Sequence, residues 1–394
     1  MPDRTKAPEI KTITDFALLK PEKSKLKNGL PLFVIRADPQ PVCNLQLVFR
    51  AGKWYETARH TSTITAKMLT EGTRHKTSSE LSGFFSQLGA FIEINAGADL
   101  LSVDIYTLST HLGRLLEVVR EILTEASFPD HELQNLTERI VQQIRVNEQK
   151  NSFVANNLIK AHLFGPGHAY GYAPVSAEIR EVTTGSLNQF YQQRIQHQPF
   201  DIMLAGDVTD RHLQQLDDIL GSLHIKDAAP EASREQVPAD ARRQQYIEKE
   251  DAVQTSIRMG KKMPQRQHPD HVPLEVLNEV LGGYFGSRLM RNLREEKGFT
   301  YGVHSNVAHL RNESYFALGT DVIKEKREEA LSEIYREIEV LCHEPVLADE
   351  LTLVKNYMAG NYIKSINTPL SLADHSKTIS TTGCLPLTRF QQSR

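Results

Sequence analysis

The chain has 394 residues, enough for two domains of ordinary size, and its 40% hydrophobic and 24% charged residues are normal for a globular protein. A formal net charge of −3 leaves no basic footprint for nucleic acid or a membrane surface, and no apolar run approaches the roughly 20 residues that span a bilayer. Cys43, Cys342 and Cys384, odd in number and far apart, argue against a disulfide framework or a CxxC site.

Residues 1–24 are polar and rich in Lys and Pro, and are expected to form an N-terminal arm. The opening Met1-Pro2-Asp3-Arg4-Thr5-Lys6 lacks the apolar core of a secretory signal. The expected compartment is therefore cytoplasmic, or periplasmic if Met1 was added to a trimmed chain. A first domain, 25–226, opens with two short strands around an Asn28-Gly29 turn. Val42 to Ala51 reads as a further strand and Ser62 to Thr70 as a helix. Thr77-Ser78-Ser79-Glu80 is a capping box that opens a helix over Leu81 to Leu88. Phe91 to Ala96 and Leu101 to Tyr106 alternate as an antiparallel pair. Helices are expected over Leu112 to Ala126, Asp130 to Lys150, Ser152 to Phe164, Leu187 to Ile195 and Arg211 to Leu223, with a strand at Asp201 to Ala205.

Residues 227–244 are polar, carry Pro230 and Pro238 and show no periodicity, so they read as a linker. In the second domain, 245–394, a strand at Thr255 to Met259 precedes a helix from Pro273 to Lys297. Strands at Tyr301 to Ala308 and Ser314 to Thr320 follow, then helices Lys324 to Leu341 and Ala348 to Ile366. This order repeats the first half at an offset of roughly 210 residues. By that repeat the second half stops about 25 to 45 residues short, so its sheet is expected to lack a strand.

The stretch from Arg294 to Val303 carries the chemistry. Gly298 sits where a helix wants a left-handed C-cap, and beyond it Phe299, Tyr301 and Val303 are expected on one strand face. A helix end then holds the Arg294 guanidinium near the Tyr301 phenol. Both are hydrogen-bond donors and neither is a base at neutral pH, which suits gripping a carbonyl oxygen as charge develops on it. The spacing fits equally a polar helix face beside a half-buried tyrosine.

The run Leu281-Gly282-Gly283-Tyr284-Phe285-Gly286-Ser287-Arg288-Leu289, with Leu293 to Gly298 and Tyr301 after it, resembles the second-domain signature of the M16 (insulinase/pitrilysin-like) metallopeptidases. The resemblance covers about Leu26 to Leu385. It implies an α+β fold of two homologous domains, each a mostly antiparallel sheet with helices on one face. It also implies that Arg294 and Tyr301 bind substrate and stabilise the transition state.

Active members of that family carry His-x-x-Glu-His just ahead of a Met-Leu-x-x-Gly-Thr run. Here Met68-Leu69-Thr70-Glu71-Gly72-Thr73 sets the register, and the His, Glu and His positions hold Thr63, Ala66 and Lys67. Glu138 remains on the later helix, but the third-ligand position falls on Arg145. A lysine at a ligand position opposes a divalent ion unless it gives up its proton. No metal is therefore expected on this chain. His268 and His271, in a segment rich in Pro and Asp, read as a solvated turn, and His168-Ala169-Tyr170-Gly171 as a packed loop.

The resemblance implies the non-zinc subunit of a heterodimeric peptidase, inactive alone. Its partner would be an M16 subunit with an intact His-x-x-Glu-His motif that carries the zinc, and its substrate a peptide. Two alternatives stand beside it: a structural scaffold, and a homodimer that holds peptides without cutting them.

Overall fold

In the computed structural model, which describes residues 21–37, 40–228 and 244–374, the backbone forms two sheets. The first contains β1 (Glu22–Lys25), β2 (Pro31–Arg36), β3 (Val42–Phe49), β4 (Phe91–Ala96), β5 (Leu101–Leu108) and β6 (Phe200–Gly206). Their spatial order is β1-β2-β6-β3-β5-β4, antiparallel except for β2 beside β6. The second sheet has β7 (Gln254–Met263), β8 (Thr300–His309) and β9 (Ser314–Ile323) in the order β7-β9-β8, antiparallel throughout. The fold is the expected α+β arrangement.

Local signals explain most element ends. Gly29, at φ 86°, turns β1 into β2, and the Asn28 side chain donates to the carbonyls of Leu220 and Leu223 at 2.9 and 3.1 Å. Thr77 and Glu80 form the reciprocal cap that starts the helix Ser78–Gln87. Because β1 begins at Glu22, the last residues of the expected arm belong to the sheet. Residues 1–20, most of the linker and Cys384 lie outside the described residues.

The repeat is visible in space. The antiparallel set β3-β5-β4 recurs as β7-β9-β8. Each set is followed by two long helices, Leu112–Glu125 and Asp130–Glu148 in the first half, Arg327–His343 and Ala348–Ser365 in the second. Among the described residues, β1, β2 and β6 have no counterparts in the second half.

The first core lies between its sheet and helices, with Leu45, Leu47, Phe49 and Ile64 fully buried. On the other side of that sheet, Leu372 and Ala373 pack on Ile35 and Ala205, and Gln46 donates to Asp374 at 2.5 Å. The second core is smaller and gathers Leu289, Leu293, Leu318 and Ile334. The halves meet along the helix Asn151–Phe164, where Asn151 donates to the Gln254 carbonyl at 2.9 Å and Arg258 to Asn156 at 2.6 Å. The tip between β8 and β9 also docks on the first half. The Arg311 N–H donates to Asp99 at 3.0 Å and its guanidinium to the Tyr55 hydroxyl at 2.9 Å.

One element differs from its expected form. The helix placed over Pro273 to Lys297 starts at His271, is α-helical to Asn278, and widens into a π-helical turn over Glu279–Gly283. It breaks at Tyr284, whose backbone is extended, and resumes as the widened Met290–Glu296. Gly282, Gly283 and Gly286 supply the weak helix propensity. At Gly282 a Cβ would lie 2.6 Å from Ser305 Oγ, so helix and strand approach too closely for a side chain.

Candidate functional site: a tyrosine on a bulge and an altered motif helix

Gly298 ends the second helical segment at φ 65°, and the Phe299 N–H bonds back to the Leu293 carbonyl at 2.9 Å. The chain then enters β8 with one residue too many. Thr300 pairs with Val322 and Val303 with Thr320, so three steps along β8 match two along β9. Two hydroxyls hold this bulge. Thr300 donates to the Asp321 carbonyl at 2.8 Å and accepts from the Gly302 N–H at 3.1 Å. Thr320 donates to the Gly302 carbonyl at 2.9 Å.

The bulge overturns the expectation that Phe299, Tyr301 and Val303 share a face. Phe299 and Val303 enter the second core, whereas Tyr301 is 90% exposed. A strict two-residue period would have taken the tyrosine inward with them. The extra residue re-aims it outward, as a bulge does to the side chains beyond it.

Tyr301 and Phe285 line one cleft of about 580 Å³, whose walls include Gly282, Gly283 and His304. Arg294 is half-buried, with its guanidinium stacked 4.5 Å from the centre of the Phe285 ring. Among the described residues it makes no hydrogen bond or ion pair. Its neighbour Arg288 is different, gripping Glu350 through two bonds of 2.9 and 2.7 Å. Arg288 is thus held by a carboxylate, whereas Arg294 rests on an aromatic ring.

Thr63, Ala66, Lys67 and Arg145, which stand where the family resemblance expects the zinc motif, do not fit a zinc ion. Thr63, Ala66 and Lys67 share one face of the helix Thr61–Met68, where Ala66 is 2% exposed in the core and Lys67 faces solvent. Arg145 is exposed on the helix Asp130–Glu148, as is Glu138. A hydroxyl, a methyl, an ammonium and a guanidinium offer no set of anionic or imidazole donors.

Sequence reasoning missed the network that supports this altered helix. Buried Glu56 accepts from the His60 and Ser62 N–H groups at 3.2 and 2.9 Å and from the Tyr172 hydroxyl at 2.6 Å. Burial raises the Glu56 carboxyl above its usual range, against the opposing pull of those bonds. His60 adopts φ 70°, held by Glu178 at 2.9 Å and by the edge of the Tyr172 ring. Glu178 and Tyr172 lie more than a hundred residues away in sequence, so no spacing could reveal them.

The loop His168 to Gly171 is packed as expected, with His168, Ala169 and Tyr170 buried. Cys43 is buried too, which pushes its thiol up to about 12 with help from the charge of Asp207. His268 is exposed, but His271 corrects the solvated-turn reading. It is the first residue of the helix His271–Asn278, with a side chain only 12% exposed and Nε2 3.6 Å from Glu275.

Two family models match the chain: "Insulinase (Peptidase family M16)" over residues 32–168 and "Peptidase M16 inactive domain" over residues 181–358. "Uncharacterized zinc protease YmxG" of Bacillus subtilis is 21% identical over 76% of this chain and 72% of its own length. "Cytochrome b-c1 complex subunit 1, mitochondrial" of Bos taurus is 23% identical over 66% of this chain. "Non-peptidase homolog YmxG" of Helicobacter pylori is 23% identical over 62%. The chain spans only 55% and 58% of the latter two. Among solved structures, a protease from Helicobacter pylori superposes with a TM-score of 0.83 at 21% identity, covering 95% of this chain and 93% of its own. A peptidase M16 inactive domain from Pseudomonas fluorescens gives 0.79 at 23% identity, covering 95% and 90%. No described helix is long and apolar enough to cross a membrane.

Proposed function

Because the chain belongs to the M16 peptidase family, in which it lacks the zinc motif, we propose that it is the non-zinc subunit of a heterodimeric M16 peptidase. In this reading a partner subunit with an intact His-x-x-Glu-His motif supplies the zinc. This chain supplies Arg294 and Tyr301 to bind a peptide and stabilise charge on its scissile carbonyl.

The observation that carries the proposal is the bulge that turns Tyr301 out into the cleft it shares with Phe285, the ring on which the Arg294 guanidinium stacks without a carboxylate partner among the described residues. A phenol and a guanidinium can each donate to a developing oxyanion, and neither needs to move a proton for itself. The exposed rings of Phe285 and Tyr301 add apolar surface for peptide side chains. The relatives lend support, since Helicobacter pylori has both a non-peptidase homologue and a protease that this chain resembles. Likeness to the cytochrome b-c1 subunit favours a second reading, a scaffold whose exposed aromatics are covered by a neighbour.

The experiment is co-expression with the zinc-bearing M16 chain of the same genome. Chelator-sensitive peptide hydrolysis by the complex, absent from either chain alone, is expected. Equal hydrolysis by the partner alone would leave the scaffold reading in its place.

A further inference from the structure

The second half brings together three metal-ligating side chains that lie apart in sequence. His271 and Glu275 are one turn apart on the helix His271–Asn278 and therefore share a face. His309, the last residue of β8, meets that face from the neighbouring hairpin. Its Nε2 stands 3.1 Å from Glu275 Oε1, and His271 Nε2 is 3.6 Å from the same oxygen. The three donor atoms all lie within 4.8 Å of one another. Tetrahedral ligands about 2.0–2.1 Å from zinc are roughly 3.3 Å apart, so the trio already approaches three corners of a tetrahedron.

We propose that His271, Glu275 and His309 form a binding site for a divalent transition-metal ion of the zinc class. Two imidazoles and one carboxylate, with one side open to solvent through the part-exposed Glu275, match the donor sets that hold zinc and leave a position for water. The site is braced before any ion arrives. The His309 side chain is 4% exposed, and its Nδ1 lies 2.8 Å from Oγ of buried Ser314, its register partner across the hairpin. That contact aims Nε2 at Glu275, the orienting role of a partner behind a metal-bound histidine. The rings of His271 and His309 meet edge to face at 4.5 Å, so both are committed to this corner. Arg266 and Glu279 also face Glu275 electrostatically and carry opposite charges.

The position gives the ion a mechanical role. His309 immediately precedes the tip whose Arg311 docks on Asp99 and Tyr55 of the first half. An ion that joins His309 to the helix would steady the joint between the halves. This site is separate from the four altered positions around Thr63 and does not depend on the peptidase reading.

The test uses the full chain, stripped with chelator and titrated with Co²⁺ and then Zn²⁺. One Co²⁺ per chain is expected, with the visible absorption of a four-coordinate N/O site, displaced by one Zn²⁺. Zinc should also raise the unfolding midpoint, because it binds only the folded site. His309 is buried, so the deciding variants are Glu275→Gln and His271→Gln, which keep side-chain volume near the surface. Each should weaken Co²⁺ binding at least about tenfold, while His268→Gln, at an exposed histidine nearby, should not. The proposal is overturned if folded wild type takes up no stoichiometric metal, which would leave the trio a hydrogen-bonded contact. Equal binding by wild type and both ligand variants would overturn it as well.

Discussion

The two halves share a strand order and differ in what that order serves. In the first half the helix Thr61–Met68 sits against a core of forty-two buried apolar residues among those described, and Ala66 has become part of that core. In the second half the corresponding helical region is widened, broken at Tyr284 and backed by only eleven such residues. Yet the second half is the one that has an exposed tyrosine on a bulge, a guanidinium stacked on a ring without a carboxylate partner among the described residues, and a cleft. The large core takes Ala66 in as packing, whereas the small core is flanked by a broken helix and a bulge that packing does not require.

That contrast can be broken first at the cores. Leu318→Ala removes a side chain 1% exposed in the smaller core and should cost about 2–5 kcal/mol. The second half should then unfold before the first. Trp54, the single tryptophan, packs in the cluster that includes Leu310 and Tyr315 of the second half, so its fluorescence should change as that half unfolds, ahead of the main far-ultraviolet dichroism transition. Coincident transitions at the wild-type midpoint would show that the halves stand or fall together.

The bulge offers a smaller and more local test. Thr300→Val keeps the branched shape but removes the hydroxyl that bonds Asp321 and Gly302. A loss of about 1–3 kcal/mol is expected, with the Gly302 N–H left without its partner. Amide exchange at Gly302 should quicken, and unchanged exchange would remove the hydroxyls as the cause of the bulge. Smaller again is Gly298→Ala. A Cβ there meets nothing within 4 Å, so only the positive φ is penalised, by about 1 kcal/mol in thermal or denaturant unfolding.

Much of this architecture was legible in the sequence because it rests on short-range chemistry. Thr77 with Glu80, Asn28-Gly29 and the alternation of β4 with β5 each signal a local structure that the fold contains. The failures were of two physical kinds. Alternation cannot count an inserted residue, so it places Tyr301 on the wrong face. Nor can spacing see partners brought together by folding, such as Gln46 with Asp374, Glu56 with Tyr172, or His309 with Glu275. The helix break at Tyr284 lay between, since three nearby glycines hinted at weakness without locating it.

In the proposed assembly the second half lends Arg294 and Tyr301 to a zinc site held by another chain. The most direct test is steady-state peptide hydrolysis by the reconstituted heterodimer carrying Tyr301→Phe, with assembly followed by size-exclusion chromatography and zinc content by metal analysis. The substitution deletes one donor hydroxyl and keeps the ring, and at 90% exposure it disturbs no core contact. Loss of a single oxyanion donor predicts a fall in kcat on the order of 10²–10³, with assembly and the partner's zinc unchanged. Arg294→Lys should also be costly, since an ammonium cannot reproduce a planar fork. Wild-type turnover by a normally assembled Tyr301→Phe complex would contradict the claim that this chain takes part in the chemistry.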